Sequence, residues 1–330
     1  MMRMSHLLAL GMAIGLPLSG ITLGDDEAEQ RKHTLVIRAN PDAMWGGSIE
    51  DLEKVLHSSA EPLWQYFPER ELKPILVEPK GGPIVLFKPG PNGEFQVRLN
   101  TGDRLWAQQA FQFSHEFCHI LCNHRPGVNR NLWFEESICE VASLFALRRM
   151  SETWQTAPPY PNWKDYSTSL TSYADDRLKK SKLPPGESLG DWYREHADHF
   201  AADPTNRDHN LVVAASLLAL FEKQPQQWTA IQYLNGTGPR ESQTFTLYLN
   251  EWHQRCPPKH QEFVAEIAKQ FEITIPAEPN PLRDQIKARY DREIDELTKR
   301  IHEVRKQRDA ELKELFEQEQ KRPAKAAPQP

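Results

Sequence analysis

From Leu105 to Leu121 the apolar residues Leu105, Trp106, Ala110, Phe113, Phe117 and Leu121 recur at helical spacing. Within that run stands Ser114-His115-Glu116-Phe117-Cys118-His119. A helix here places residues four apart about 40° from each other in azimuth and one turn apart in height. His115 and His119 can therefore reach one metal ion from a single face. Two neutral imidazole nitrogens suit zinc, which takes N, O or S donors in a tetrahedron. Glu116 lies at the edge of the same face, placed to hydrogen-bond a zinc-bound water and take its proton. Zinc lowers the pKa of such a water to ~7, so a hydroxide-like nucleophile exists at neutral pH. The plain alternative is two ordinary helix-face histidines.

The surrounding chain sets the context. Met1-Met2-Arg3 followed by the apolar stretch Leu7 to Leu23, ended by Asp25, Asp26 and Glu27, reads as a cleaved signal peptide over residues 1–24. An uncleaved membrane anchor is the second reading. Both place the rest of the chain outside the cytoplasm: secreted or periplasmic, with membrane-anchored as second choice. Thr34–Arg38, Pro74–Val77, Pro83–Phe87 and Phe95–Leu99 have strand character. Ser48 to about Phe67 has helical spacing, with Ser48 as its cap. Residues 34–100 thus read as a small sheet with one helix. The half-exposed strand Phe95–Leu99 offers an edge to an extended peptide. A second helix is expected from about Asn131 to Met150. Residues 151–208 read as a long irregular excursion with one short helix near Leu189–Phe200. Leu211–Phe221 reads as a buried helix, and helical patterns continue through 228–234, 245–252 and 262–271.

Leu282 to about Lys321 is different: a charged helix without Gly or Pro, with Ile286, Tyr290, Ile294, Leu297, Ile301 and Val304 stepping by four and three. A short coiled coil, a helix packed along the domain and a solvated helical tail all fit this seam. Residues 322–330 read as a disordered tail. A net charge of −6 provides no basic field, so no nucleic-acid partner is expected.

A third metal ligand is needed. The metzincin continuation would place Gly at 122 and His at 125, whereas the chain has Cys122 and Arg125, and His124 is one residue out of register. That class is rejected, and His124 reads as a surface or loop residue. Downstream comes Asn131-Leu132-Trp133-Phe134-Glu135-Glu136-Ser137-Ile138-Cys139-Glu140. With the preceding His-Glu-x-x-His helix, Trp133, Phe134, Glu136 and Ser137 resemble the gluzincin pattern of peptidase-MA-like zinc metallopeptidases. The resemblance covers roughly residues 95–150. It implies a zincin-like fold and makes Glu136 the third ligand of one zinc per chain, with Glu135 as the adjacent competitor. Glu140, one turn on, is a candidate to hydrogen-bond a ligating histidine and fix its tautomer. Glu135 and Glu140 also fit a solvated acidic helix face.

Gluzincins usually place a Tyr or His near zinc to stabilise the oxyanion. Tyr160, Tyr166, Tyr173, His196, His199 and His209 are all candidates, with His209 preferred for its place before the apolar helix. The aromatic residues Trp154, Tyr160, Trp163, Tyr166 and Tyr173 either line a cleft or anchor a loop. Asn235-Gly236-Thr237 matches a glycosylation acceptor and is also plain turn chemistry. Cys118, Cys122, Cys139 and Cys256 contain no C-x-x-C pair, and a bridge between Cys118 and Cys122 on one helix would be strained. Cys139 could bridge to either, but small buried thiols are the preferred reading.

The expectation is therefore an α+β, zincin-like catalytic domain over 34–275 with a mainly helical C-terminal half. A charged helix or coiled coil follows over 282–321. The expected activity is zinc-dependent hydrolysis of a peptide or protein substrate, with Glu116 activating water and His115, His119 and Glu136 holding the metal. The alternative is a catalytically weak or inactive zincin-like scaffold whose C-terminal helix binds a partner or a second copy.

Overall fold

The computed structural model describes residues 34–236, 238, 240–275 and 281–320. The signal-peptide segment, Thr237 of the acceptor triplet and the tail at 322–330 lie outside the described residues. The chain divides into two units, residues 1–273 and residues 274–330.

The first unit is mixed α and β, with one four-stranded sheet ordered β1-β2-β4-β3. Its strands are β1 (Ile37–Ala39), β2 (Ile75–Glu78), β3 (Ile84–Val85) and β4 (Phe95–Arg98). β1, β2 and β4 run parallel, while β3 pairs antiparallel with β4, Val85 opposite Val97. Strand alternation sends Ile37, Ile75, Val77 and Val97 inward, each fully buried. The turn into β3 requires glycine at 82, because a Cβ there would lie 2.0 Å from the carbonyl oxygen of Arg98. β4 is internal, so the expected edge on Phe95–Leu99 belongs instead to β3, the outermost strand beyond it.

Helix α1 (Ile49–Trp64) connects β1 to β2, and Ser48 caps it by accepting from the Asp51 amide at 3.3 Å. Behind the sheet lie α2 (Trp106–Leu121) and α3 (Leu132–Thr156), which pack on each other and on α1. α2 presents Phe113, Phe117 and Leu121 to the core with no exposure. Each such side chain contributes about 1.5–3 kcal/mol by burial. α3 is buried on nearly every side and central, from Trp133 through Leu144, Phe145 and Leu147 to Trp154.

Residues 151–208 are more ordered than the irregular excursion expected. α3 continues to Thr156, a 3-10 helix spans Pro161–Tyr166, and α4 (Ser167–Lys180) precedes α5 (Leu189–Ala202). α4 escapes sequence reading because only Leu170, Ala174 and Ser167 are buried along it. The aromatic group serves as an anchor: Trp163 packs on Trp106 and Trp154 at 4.2 and 5.4 Å between ring centroids. α6 (Arg207–Lys223), a 3-10 helix at Pro225–Tyr233, α7 (Phe245–Arg255) and α8 (Pro258–Gln270) complete the unit. All four cysteines are buried free thiols.

In the second unit α9 spans Pro281–Gln320. Its seam residues Ile286, Tyr290, Ile294, Leu297, Ile301 and Val304 are all exposed. Among the described residues no helix is long and apolar enough to cross a membrane.

Candidate metal centre

The centre is built where α2 meets the first turns of α3. α2 carries His115, Glu116 and His119, all buried. Its C-terminal carbonyls are capped by Arg70, whose guanidinium donates to Leu121 O at 2.6 Å and Ile120 O at 2.8 Å. A cation at this end also opposes the helix dipole and fixes the turn that bears His119.

The Nε2 atoms of both histidines face one carboxylate. His115 Nε2 lies 3.1 Å from Glu136 Oε2, and His119 Nε2 lies 3.5 Å from Glu136 Oε1. Donors around a tetrahedral zinc at about 2.0–2.2 Å stand about 3.4 Å apart, and both distances are close to that spacing, each to a different carboxylate oxygen. Behind them stand two further carboxylates. Glu135 Oε1 accepts from His119 Nδ1 at 2.8 Å and from His124 Nδ1 at 2.6 Å. Glu140 Oε1 lies 3.7 Å from His115 Nδ1, and Glu140 Oε2 is buried without a hydrogen-bond partner. Glu135 and Glu140 are each 1% exposed, which removes the solvated-face reading of both. Glu135 is thus turned to the far side of His119, and Glu136 faces the cavity.

The electrostatics follow from burial set against pairing. Burial opposes charge on His119, but Glu136 and Glu135 outweigh it and hold its pKa well above the ordinary value. Burial likewise raises Glu135, but hydrogen bonds from His119 and His124 bring it down to about 2. Glu136 is held well below the carboxylate range, with the charge and hydrogen bonds of His119 and His115 overcoming desolvation. Glu116 moves the other way: burial raises its pKa, partly offset by His115 and His119. A carboxyl with raised proton affinity beside two imidazoles is suited to accept and return a proton.

These groups open on a cavity of about 210 Å³, lined by His115, Glu116, His119, Glu136 and Glu140 on one side. Pro83, Ile84 and Val85 of the β3 edge form another wall, and Thr205, Arg207 and Asn210 a third. Cys139 is the competing donor, since one atom each of His115, His119 and Cys139 lie within 4.8 Å of one another. Its thiol, however, is buried beside Cys118 and Cys122, and Cys139 does not line the cavity. Glu136, by contrast, is ionised and lines the cavity.

Several expectations need correction. His209, preferred as oxyanion donor, is not among the residues lining this cavity, nor are His196, His199, Tyr160, Tyr166 or Tyr173. Its ring packs instead against Trp192, His196, His199 and Phe200. His124 is no free surface residue: it holds Glu135 and stacks on Phe87 at 4.8 Å, at the cavity wall. Asn235 is 7% exposed and donates to Cys122 O and Glu135 Oε2, so its amide is committed to the interior rather than offered for glycosylation. Arg207 and Asn210 were missed because no local pattern marks them. Asn210 could have been sought through Ser137, whose hydroxyl donates to Asn210 Oδ1 at 3.3 Å and ties α6 to α3.

No family model, curated protein or solved structure matches the chain.

Proposed function

We propose that the chain is a zinc-dependent peptidase with a zincin-like catalytic unit, exported to the periplasm or secreted. The observation that carries this reading is the convergence of His115 Nε2, His119 Nε2 and the Glu136 carboxylate beside Glu116 in one cavity. Zinc, when bound by these three residues, supplies Lewis acidity for a scissile carbonyl and lowers the proton affinity of attacking water.

The chain's own residues do the rest. Glu116 takes the proton from the water and passes it to the leaving amine, a role its raised pKa favours. Glu135 and Glu140 stand behind the Nδ1 atoms and orient both rings, leaving Nε2 for the metal. The β3 edge at Ile84–Val85 lies along the cavity and can pair with an extended peptide backbone. Arg207, also on the wall, offers a cation to the negative charge that develops on the carbonyl oxygen. The exposed seam of α9 suits pairing with a second copy or a partner helix.

The test is hydrolysis of unstructured peptides by wild type and Glu116→Gln at equal zinc content. The expected result is a loss of about 10²–10⁴ in kcat with zinc retained. Equal rates in the two proteins would remove Glu116 from the mechanism, and no turnover in either would favour the scaffold reading.

A further inference from the structure

A second gathering of ligating side chains stands on α5 and α6. His196 and His199 are three residues apart on one face of α5, and His209 is in the first turn of α6. One donor atom from each lies within 4.8 Å of the others. His196 and His209 are half-buried and His199 is exposed.

The chemistry of the three rings is specific. His196 Nδ1 lies 2.8 Å from the carbonyl oxygen of Trp192. A carbonyl only accepts, so Nδ1 carries the proton and Nε2 keeps a free lone pair. Trp192 stacks on the same ring at 4.4 Å and holds its orientation. The Nδ1 of His209 is buried with no hydrogen-bond partner. A buried ring nitrogen left without a partner is costly, and a bound cation would satisfy it.

We propose that His196, His199 and His209 form a second site for a divalent transition-metal ion of the zinc class, with solvent completing the coordination. Three neutral imidazoles are the donor set that zinc, copper and nickel favour. Donors around tetrahedral zinc stand about 3.4 Å apart, and exposed His199 has the rotamer freedom to close the remaining gap. The consequence reaches the central cavity. The same first turn of α6 carries Arg207 and Asn210 into that cavity's wall. An ion joining α5 to His209 pins this wall from behind.

The test is zinc content of the full chain, stripped with chelator, reloaded with zinc and desalted, in wild type, His199→Ala, His196→Gln and His119→Ala. Wild type should hold about two ions and each variant about one. His199→Ala should melt with wild type when metal-free, because its side chain is exposed. The proposal is overturned if His199→Ala and His196→Gln retain as much zinc as wild type. A single ion in wild type, lost with His119→Ala, also overturns it. Failure of the central site looks different: zinc would then be lost with His199→Ala and untouched by His119→Ala.

Discussion

His119 and His196 each have Nδ1 engaged at 2.8 Å, but by different partners: the Glu135 carboxylate for His119, the Trp192 carbonyl for His196. The first cluster is buried and rich in carboxylates, so its histidines are drawn towards the charged form. The second is half-exposed, and burial together with its neighbouring rings keeps His209 neutral. The difference teaches what each arrangement depends on. At the centre, ring and carboxylate support one another even without metal, so removing one takes a partner from a buried charge. At the α5–α6 cluster no carboxylate hydrogen-bonds the rings among the described residues, and exposed His199 can be lost at little cost.

The sharpest way to break this contrast is His119→Ala. It takes one partner from each of two buried carboxylates, leaving Glu135 to His124 and Asn235 and Glu136 to His115; this should cost the metal-free protein about 3 kcal/mol, read by denaturant unfolding, while abolishing zinc binding at the centre. A loss of under about 1 kcal/mol would mean that the buried pairs are not a network. Next comes Glu135→Gln, which keeps an acceptor for His119 but removes the charge. Zinc affinity at the centre should fall about tenfold by competition with a chromogenic chelator. The same variant tests pH dependence. The Glu135 pKa is about 2 in the fold against an ordinary 4.5. Its pairing therefore stabilises the protein above about pH 4.5 and is lost as pH falls towards 2, a contribution of up to about 3 kcal/mol. Glu135→Gln should flatten that acid limb, and an unchanged limb would place the effect elsewhere. The smallest effect is His199→Ala, which should shift metal-free stability by less than about 0.5 kcal/mol.

Much of this was legible in the sequence where chemistry and periodicity coincide. The spacing of His115 and His119 within an apolar helical run gave their shared face, and the Trp133–Ser137 resemblance pointed to Glu136, which lines the same cavity. Glu135 next to Glu136 could not be assigned from sequence, because adjacent helix residues point about 100° apart and only packing shows which one meets the cavity. His124 was misread for a similar reason: its value comes from Glu135 and Phe87, neither of which shares a local pattern with it. Arg207 and Asn210 reach the site from over sixty residues away in sequence through α6, and only tertiary packing brings them there. α4 was missed because so few of its residues are apolar that the run reads as polar.

Zinc K-edge X-ray absorption on the zinc-loaded His199→Ala protein tests the central claim most directly, since that variant leaves the α2–α3 centre as the sole expected occupied site. The account predicts an all N/O first shell at about 2.0–2.1 Å from His115, His119 and Glu136. A sulfur scatterer at about 2.3 Å would contradict it and assign the third ligand to Cys139.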